Sequence, residues 1–359
     1  MEKKAKIIAT IGPSISSLST LRKIIGLGVD AFRINFSHDL TNIKKIIQQI
    51  RSLEKKTSKK VSIIGDLQGV KIRIGRFKKK NQVIKKNQFF TFDLKNKLGD
   101  KNRVTLPYPK LLKKIKKNHI ILVDDGKYAF KVIKRNSLSV ITKNLSQDFT
   151  ISDMKSVHIK NLSIPFNNFT KKDKLDIKLA KKLGCEWVAL SYVENAKLIY
   201  KAKKLLGKKI GIISKIENKL AVKNIDEIIT ASDAIMVARG DLALDVGHSE
   251  VPKIQLGIIK KCNNNSKPVI VATQMLESMI NNFTATRAEI NDIATAIFQG
   301  ADTVMLSAET AVGKYPVQAV KTMFKTIVST EKYKKEHIED FKSSIEVKRD
   351  PIKSIVLSV

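Results

Sequence analysis

Eight short runs rich in β-branched residues, most of them separated by helical patterning, constrain this chain more than any other feature. They are KIIATIG (6–12), AFRINFS (31–37), VSIIGDLQG (61–69), WVALSYV (187–193), IGIISKIE (210–217), AIMVARGD (234–241), PVIVATQM (268–275) and TVMLSAET (303–310). Stretches such as STLRKIIGLG, DKLDIKLAKKLG and RAEINDIATAIFQG carry amphipathic helical spacing. Near-continuous apolar strands alternating with helices indicate a parallel sheet covered on both faces. Eight such units predict an α/β fold, a (β/α)8 TIM barrel.

The rhythm breaks once, between the third and fourth runs. QFFTFDL, HIILVDDGKYAFKVIKR and LSVITKNL alternate as hairpin strands do, with turns at DDG and RNS. A small β-barrel-like domain inserted after the third strand is therefore expected, above the barrel end where ligands bind. The expected division is a catalytic barrel at 1–70 and 161–335, an inserted β lid at 71–160, and a remnant of a C-terminal domain or a tail at 336–359.

Composition narrows the function classes. No apolar run reaches membrane-spanning length, and the start MEKKAKIIATIG lacks the shape of a signal peptide. Cys185 and Cys262 stand far apart and outside any CxxC, so neither a disulfide framework nor a zinc site is expected. A cytoplasmic protein without a membrane partner is the expectation. The net charge of +35 raises nucleic-acid binding, but only ten of the 68 basic residues are Arg and the Lys are spread along the whole chain. Phosphate-reading surfaces concentrate charge and favour Arg, so no nucleic-acid partner is expected.

A barrel of this kind carries its active site at the C-terminal ends of its strands. Polar residues gather there: Thr10, then Arg33, Asn35 and Ser37, then Asp66, Ser191, Lys215 with Glu217, Arg239 with Asp241, Thr273, and Ser307 with Glu309. Any one of them alone reads more readily as a strand cap or helix N-cap; polar groups at all eight strand ends together do not. In FRINFSH (32–38) the polar Arg33, Asn35 and Ser37 alternate with Phe32, Ile34 and Phe36, so each set shares one face of a strand. Inside a barrel the apolar set would face the helices and the polar set the axis.

Spacing sharpens this picture. Lys215 and Glu217 are two apart and share a face, and Glu217 and Asp241 end consecutive strands, which run about 4.8 Å apart. Two carboxylates with few other protein ligands suit Mg2+, which keeps waters and takes substrate oxygens. Lys215 would add a mobile ammonium for a developing phosphoryl or enolate charge. The competing reading is a structural Lys–Glu pair. Gly240, in ARGDL, would free backbone amides for a carboxylate.

Taken in order, ATIGPS, RINFSH, GDLQG, VDDG, SKIENK, MVARGDL, ATQMLESM, TRAE and MLSAETAVGKYP resemble the pyruvate kinase family over residues 5 to about 330. The family fold, a (β/α)8 barrel with a β domain inserted after the third strand, agrees with the pattern above. The resemblance implies Mg2+-dependent transfer of the phosphoryl group of phosphoenolpyruvate to ADP, giving pyruvate and ATP. By position, it implies that Lys215 stabilises the transferring phosphoryl group and the enolate, and that Glu217 and Asp241 hold Mg2+. It assigns the backbone at Arg239 and Gly240, with Asp241 and the Thr273 side chain, to the substrate, and Arg33 to the phosphoryl oxygens. Arg73 would support the same region. His38, Asn35 and Arg73 fall where the family contacts nucleotide, and Ser307, with Thr273, on the path that protonates enolpyruvate.

The resemblance also matches Asn35, Ser37, Asp66 and the carbonyl of Leu67 to the family's K+ ligands. In DLQGVKIR, however, Lys71 stands where K+-dependent members have Glu, and members with Lys there tend not to need K+. The expected activity is therefore Mg2+-dependent with K+ dispensable. Val70 replaces the usual Pro after DLQG, SVHIK (156–160) replaces GVNLP, and Ala243 and Gly247 stand where the family has Gly and Pro. These changes bear on the lid hinges and leave the residues assigned to chemistry in place. The family usually carries a further C-terminal domain that binds sugar phosphates; a homo-oligomer through the TRAE region, weaker than the usual tetramer, is expected here. Two other readings stay open: an Mg2+-dependent lyase acting on pyruvate enolate on a similar barrel, and a decayed homologue repurposed to bind RNA or a partner.

Overall fold

The computed structural model describes residues 3–37, 41–159, 162 and 168–337. Strands β1 (Lys6–Thr10), β2 (Ala31–Asn35) and β3 (Ser62–Asp66) open the barrel. Eight strands follow in the insertion: β4 (Asn81–Ile84), β5 (Phe89–Asp93), β6 (Arg103–Thr105), β7 (Ile120–Val123), β8 (Tyr128–Arg135), β9 (Ser139–Asn144), β10 (Phe149–Ser152) and β11 (Val157–Ile159). The barrel resumes with β12 (Trp187–Leu190), β13 (Gly211–Ile216), β14 (Ala234–Ala238), β15 (Val269–Ala272) and β16 (Thr303–Leu306). Each of the eight expected barrel runs thus contains one strand, and they close in the order β1-β16-β15-β14-β13-β12-β3-β2.

Among the described residues the chain forms two compact units, one made of residues up to 34, 41–64 and 262–337, the other of 35–37 and 65–261. In the first, β1 pairs in parallel with β2 and β16, and β16 with β15. Helix Ile43–Thr57 buries Ile43, Ile46, Ile47, Ile50 and Leu53, a stripe at helical spacing that turns the rest of its surface outward. On β2 and just beyond it the alternation resolves as expected: Phe32, Ile34 and Phe36 are at most 1% exposed, while Arg33, Asn35 and Ser37 are half-buried. Helix Arg287–Gln299 starts at a reciprocal capping box of Thr286 and Glu289.

In the second unit β13 pairs in parallel with β12 and β14, with Leu190 opposite Ser214 and Lys215 opposite Met236. The insertion builds a six-stranded sheet, β11-β7-β8-β9-β5-β6, and a two-stranded sheet, β10-β4. The expected hairpins β7–β8 and β8–β9 are antiparallel, and Asp124, Asp125 and Gly126 of the DDG turn all take left-handed backbone conformations. Phe90, Phe92 and Phe130 form the aromatic centre of its core, with the edge-on pairs at 5.3 and 5.4 Å between centroids. The alternation missed β4, β6, β10, β11 and the helix Pro109–Lys114. All are short, and burial alternates in β4 as eieB through the polar stretch NQVI, too weak a period to read without its partner strand. Cys185 and Cys262 are buried thiols. No helix among the described residues is long and apolar enough to cross a membrane.

Candidate active site

The register of β12 on β13 sets the first contacts. Leu190 lies opposite Ser214, so Ser191 falls beside Lys215 on the neighbouring strand. Lys215 Nζ donates to Ser191 Oγ at 2.8 Å and is 3.0 Å from Glu217 Oε1 and 3.3 Å from Asp66 Oδ1. The Ser191 hydroxyl in turn donates to the carbonyl of Leu67 at 2.8 Å. The ammonium is thereby aimed by three oxygens on three strand ends, with a side chain only 11% exposed. Removing charges from water this far raises the value of each oxygen that faces them.

Glu217 follows directly after β13 and is almost wholly buried. Burial pushes its carboxyl above the usual carboxylate range, Lys215 pulls it back, and Asp241 pushes it up again; the net direction is upward. The backbone N–H of Tyr192 donates to Glu217 Oε2 at 2.6 Å, and the Tyr192 hydroxyl donates to Asp241 Oδ1 at 3.5 Å. One residue thus touches both carboxylates. Tyr192 takes a left-handed backbone at φ 53°, which turns its N–H toward Glu217. Sequence reasoning stopped at Ser191 and missed Tyr192, since a backbone donor leaves no signature in residue type.

Asp241 is not on a strand. β14 stops at Ala238, and Asp241 sits in the first turn of helix Arg239–Val246, close behind Arg239 and Gly240. A carboxylate there is favoured by the helix dipole. Lys71 Nζ is 3.2 Å from Asp241 Oδ1 and 3.0 Å from Asp125 Oδ1. Burial alone would lower the Lys71 ammonium, but Asp241 and Asp125 outweigh it and hold it above the usual lysine value. Arg73 donates from Nη1 to the Met154 carbonyl at 2.8 Å and bridges Ser156 through its backbone. Around these groups opens a cleft of about 750 Å3, counting its mouth, whose lining includes Lys71, Asp125, Tyr192, Glu217 and Asp241.

The residues matched to K+ all belong to this second unit. Asn35 Oδ1 accepts the Ser37 N–H at 3.0 Å, the Leu67 carbonyl accepts Ser191, and Asp66 faces Lys215. The Lys71 ammonium pairs with Asp241 and Asp125. His38 falls outside the described residues.

The first unit carries the rest. Arg33 Nη1 donates to Thr10 Oγ1 at 3.2 Å, and Thr10 Oγ1 donates to the Leu306 carbonyl at 2.8 Å. Thr273 and Gln274, just past β15, take φ of 71° and 56°. Ser307 opens the short helix Ala308–Ala311, and Glu309 ties it down: Oε2 accepts the Ser307 N–H at 2.7 Å and Oε1 the Leu276 N–H at 3.1 Å. Burial raises the Glu309 carboxyl despite these bonds.

Among the described residues no cluster of three or more His, Cys, Asp or Glu could enclose a metal. Two carboxylates beside an open cleft would suit a Mg2+ bound mainly through waters and substrate oxygens better than a closed zinc site.

Fold and side chains together define a TIM-barrel enzyme in which β13 carries a buried lysine, with one carboxylate just after that strand and a second in the helix that follows β14. Residues 2–320 match the family profile described as pyruvate kinase, barrel domain. The chain is 42% identical over 334 residues to the pyruvate kinase of Thermotoga maritima, covering 92% of this chain and 72% of that one. It is also 42% identical over 340 residues to the pyruvate kinase of Buchnera aphidicola subsp. Baizongia pistaciae, covering 92% and 71%. The crystal structure of a pyruvate kinase from Cryptosporidium parvum superposes with a TM-score of 0.86 at 34% identity, over 92% of this chain and 70% of the other. The chain belongs to the pyruvate kinase family.

Proposed function

We propose that this chain transfers the phosphoryl group of phosphoenolpyruvate to ADP, giving pyruvate and ATP. The observation that carries the reading is the Lys215 ammonium, buried and held between Ser191, Glu217 and Asp66. Glu217 and Asp241 would hold Mg2+, which when bound supplies positive charge to the phosphoryl and enolate oxygens. Lys215 offers its N–H groups to the oxygen that bridges phosphorus and the enol carbon. As the P–O bond breaks, that oxygen keeps the electron pair, and a fixed, largely buried ammonium stabilises it more than solvent would. The phosphorus bonds to a terminal oxygen of ADP. Arg33 neutralises the transferring oxygens, with Arg73 in support, and the amides at Arg239 and Gly240 with the Thr273 hydroxyl receive the substrate carboxylate. The enolate then takes a proton at its terminal carbon along a path through Ser307 and Thr273. Nucleotide contact is assigned to His38, Asn35 and Arg73.

In this reading a barrel of residues 1–70 and 161–335 works with a lid of 71–160, and self-association runs through the TRAE segment, Thr286–Glu289. K+, which Asn35, Ser37, Asp66 and the Leu67 carbonyl would hold, is dispensable, because Lys71 supplies a permanent positive charge where K+-dependent members carry Glu. The test is ADP-dependent pyruvate formation with Mg2+, in wild type and Lys215→Met. Removing one such transition-state donor is expected to lower turnover by about 10²–10³. Activity equal to wild type in the variant would overturn the assignment. Full activity is expected with tetramethylammonium in place of K+; a rate that collapses without K+ would overturn the K+ reading alone.

A further inference from the structure

Each of the two carboxylates assigned to the metal has its own lysine, and the two lysines are held differently. Lys215, on Glu217, is also fixed by Ser191 and Asp66, and its side chain is 11% exposed. Lys71, on Asp241, has a 25% exposed side chain and splits its ammonium between two carboxylates, Asp241 Oδ1 at 3.2 Å and Asp125 Oδ1 at 3.0 Å. Asp125 belongs to the turn between β7 and β8. Ser156, two residues before His158 on β11, clamps it: the Asp125 N–H donates to Ser156 Oγ, and Ser156 Oγ donates to Asp125 Oδ1, both at 2.8 Å. The contacts run unbroken from Ser156 through Asp125 and Lys71 to Asp241.

An ammonium and a divalent cation drawn to the same Asp241 carboxylate would repel each other at close range. Asp125 gives the ammonium a second acceptor about as near, so Lys71 can leave Asp241 without losing its only counter-charge. We propose that Lys71 is a positioning residue that competes with the divalent metal for Asp241 and, on metal binding, is handed to Asp125 on the lid turn. Metal occupancy would thereby tighten the Lys71–Asp125 link and the turn it holds. This rests on the assignment of Glu217 and Asp241 as the metal pair. It differs from a K+-substitute role, since the group that Lys71 serves is the metal carboxylate.

The mechanism predicts opposite signs at its two ends. The experiment is titration with Mn2+ in the absence of substrate, free Mn2+ being read by electron paramagnetic resonance. Lys71→Met removes the competitor and is expected to bind Mn2+ about threefold to thirtyfold more tightly, the span covered by one partly exposed to partly desolvated charge pair. Asp125→Asn removes the alternative acceptor and is expected to bind it several-fold more weakly. Lys71→Arg keeps the charge and should stay near the wild-type affinity. Hydrogen exchange at residues 124–126 is expected to slow on Mn2+ addition in wild type and to be unaffected by Mn2+ in Lys71→Met. Unchanged or weaker binding in Lys71→Met, or tighter binding in Asp125→Asn, would overturn the inference. Wild-type Mn2+ affinity retained in both Glu217→Gln and Asp241→Asn would instead overturn the metal-pair assignment on which it rests.

Discussion

Thr273 is a β-branched residue at φ 71°, followed by Gln274 at 56°. Such backbone costs on the order of 1–3 kcal/mol for a residue with a branched Cβ and persists where the surroundings enforce it. Glycine relieves that strain but frees the unfolded chain by about 0.5–1 kcal/mol. Thr273→Gly is therefore expected to unfold thermally at or above the wild-type temperature while phosphoryl transfer falls by about 10²–10³, the effect of losing one positioned donor. A variant that loses stability and keeps its rate would show that the hydroxyl serves the fold. The lysine and carboxylates were legible at this scale because KxE on one strand and a carboxylate after the next strand fix their neighbourhood by period alone. Tyr192 was not legible, because its part is played by a backbone N–H. The partners of Lys71 were equally hidden: Asp125 and Asp241 are far from it in sequence and meet it only in the folded cleft.

Among the elements, the helix Arg287–Gln299 shows how a motif can carry more than one reading. In sequence, TRAE reads as an interface segment. In the fold, the Glu289 carboxylate is occupied at home: it accepts the Thr286 N–H at 2.8 Å and the Ser278 N–H at 2.7 Å, and Ser278 and Thr286 hydroxyls add to these. Partial burial opposes ionisation, but the Ser278 and Thr286 bonds outweigh it and hold the carboxyl below the usual glutamate value. A depressed acid contributes stability above its unfolded pKa and loses it as pH falls through the folded value. Glu289→Gln is thus expected to melt below wild type at neutral pH, with the gap closing as pH falls below the ordinary glutamate range. A gap independent of pH would show that shape, not charge, matters at the cap. The inserted sheet makes the opposite point about legibility. Its hairpins are announced by alternation and the DDG turn, whereas the pairing of β5 with β9 and the parallel pairing of β5 with the short β6 join segments far apart in the chain, which no local pattern declares.

For the molecule as a whole, the net charge of +35 is the property that most invites a second function. Charge carried by dispersed Lys gives long-range attraction to polyanions without a surface that reads them. Any RNA retention at low salt is expected to show no sequence preference and to be lost by about 0.2 M salt, as counterion release dictates. Fluorescence anisotropy with two unrelated single strands checks this. Tight, sequence-selective binding that survives such salt would favour a repurposed protein over the kinase.

The sequence alone determined the barrel, since eight apolar runs with helices between them can bury both faces of a parallel sheet in few other ways. It also determined which residues stand at the strand ends, because strand period and strand order are local properties. Only tertiary structure decided how those residues are wired: Ser191 aiming Lys215, Tyr192 touching both carboxylates, Lys71 divided between Asp241 and Asp125. These are contacts between segments far apart in the chain, set by register, by a left-handed backbone and by the place where an inserted domain folds back. No local pattern carries that information, because the energy that selects it comes from burying charges together.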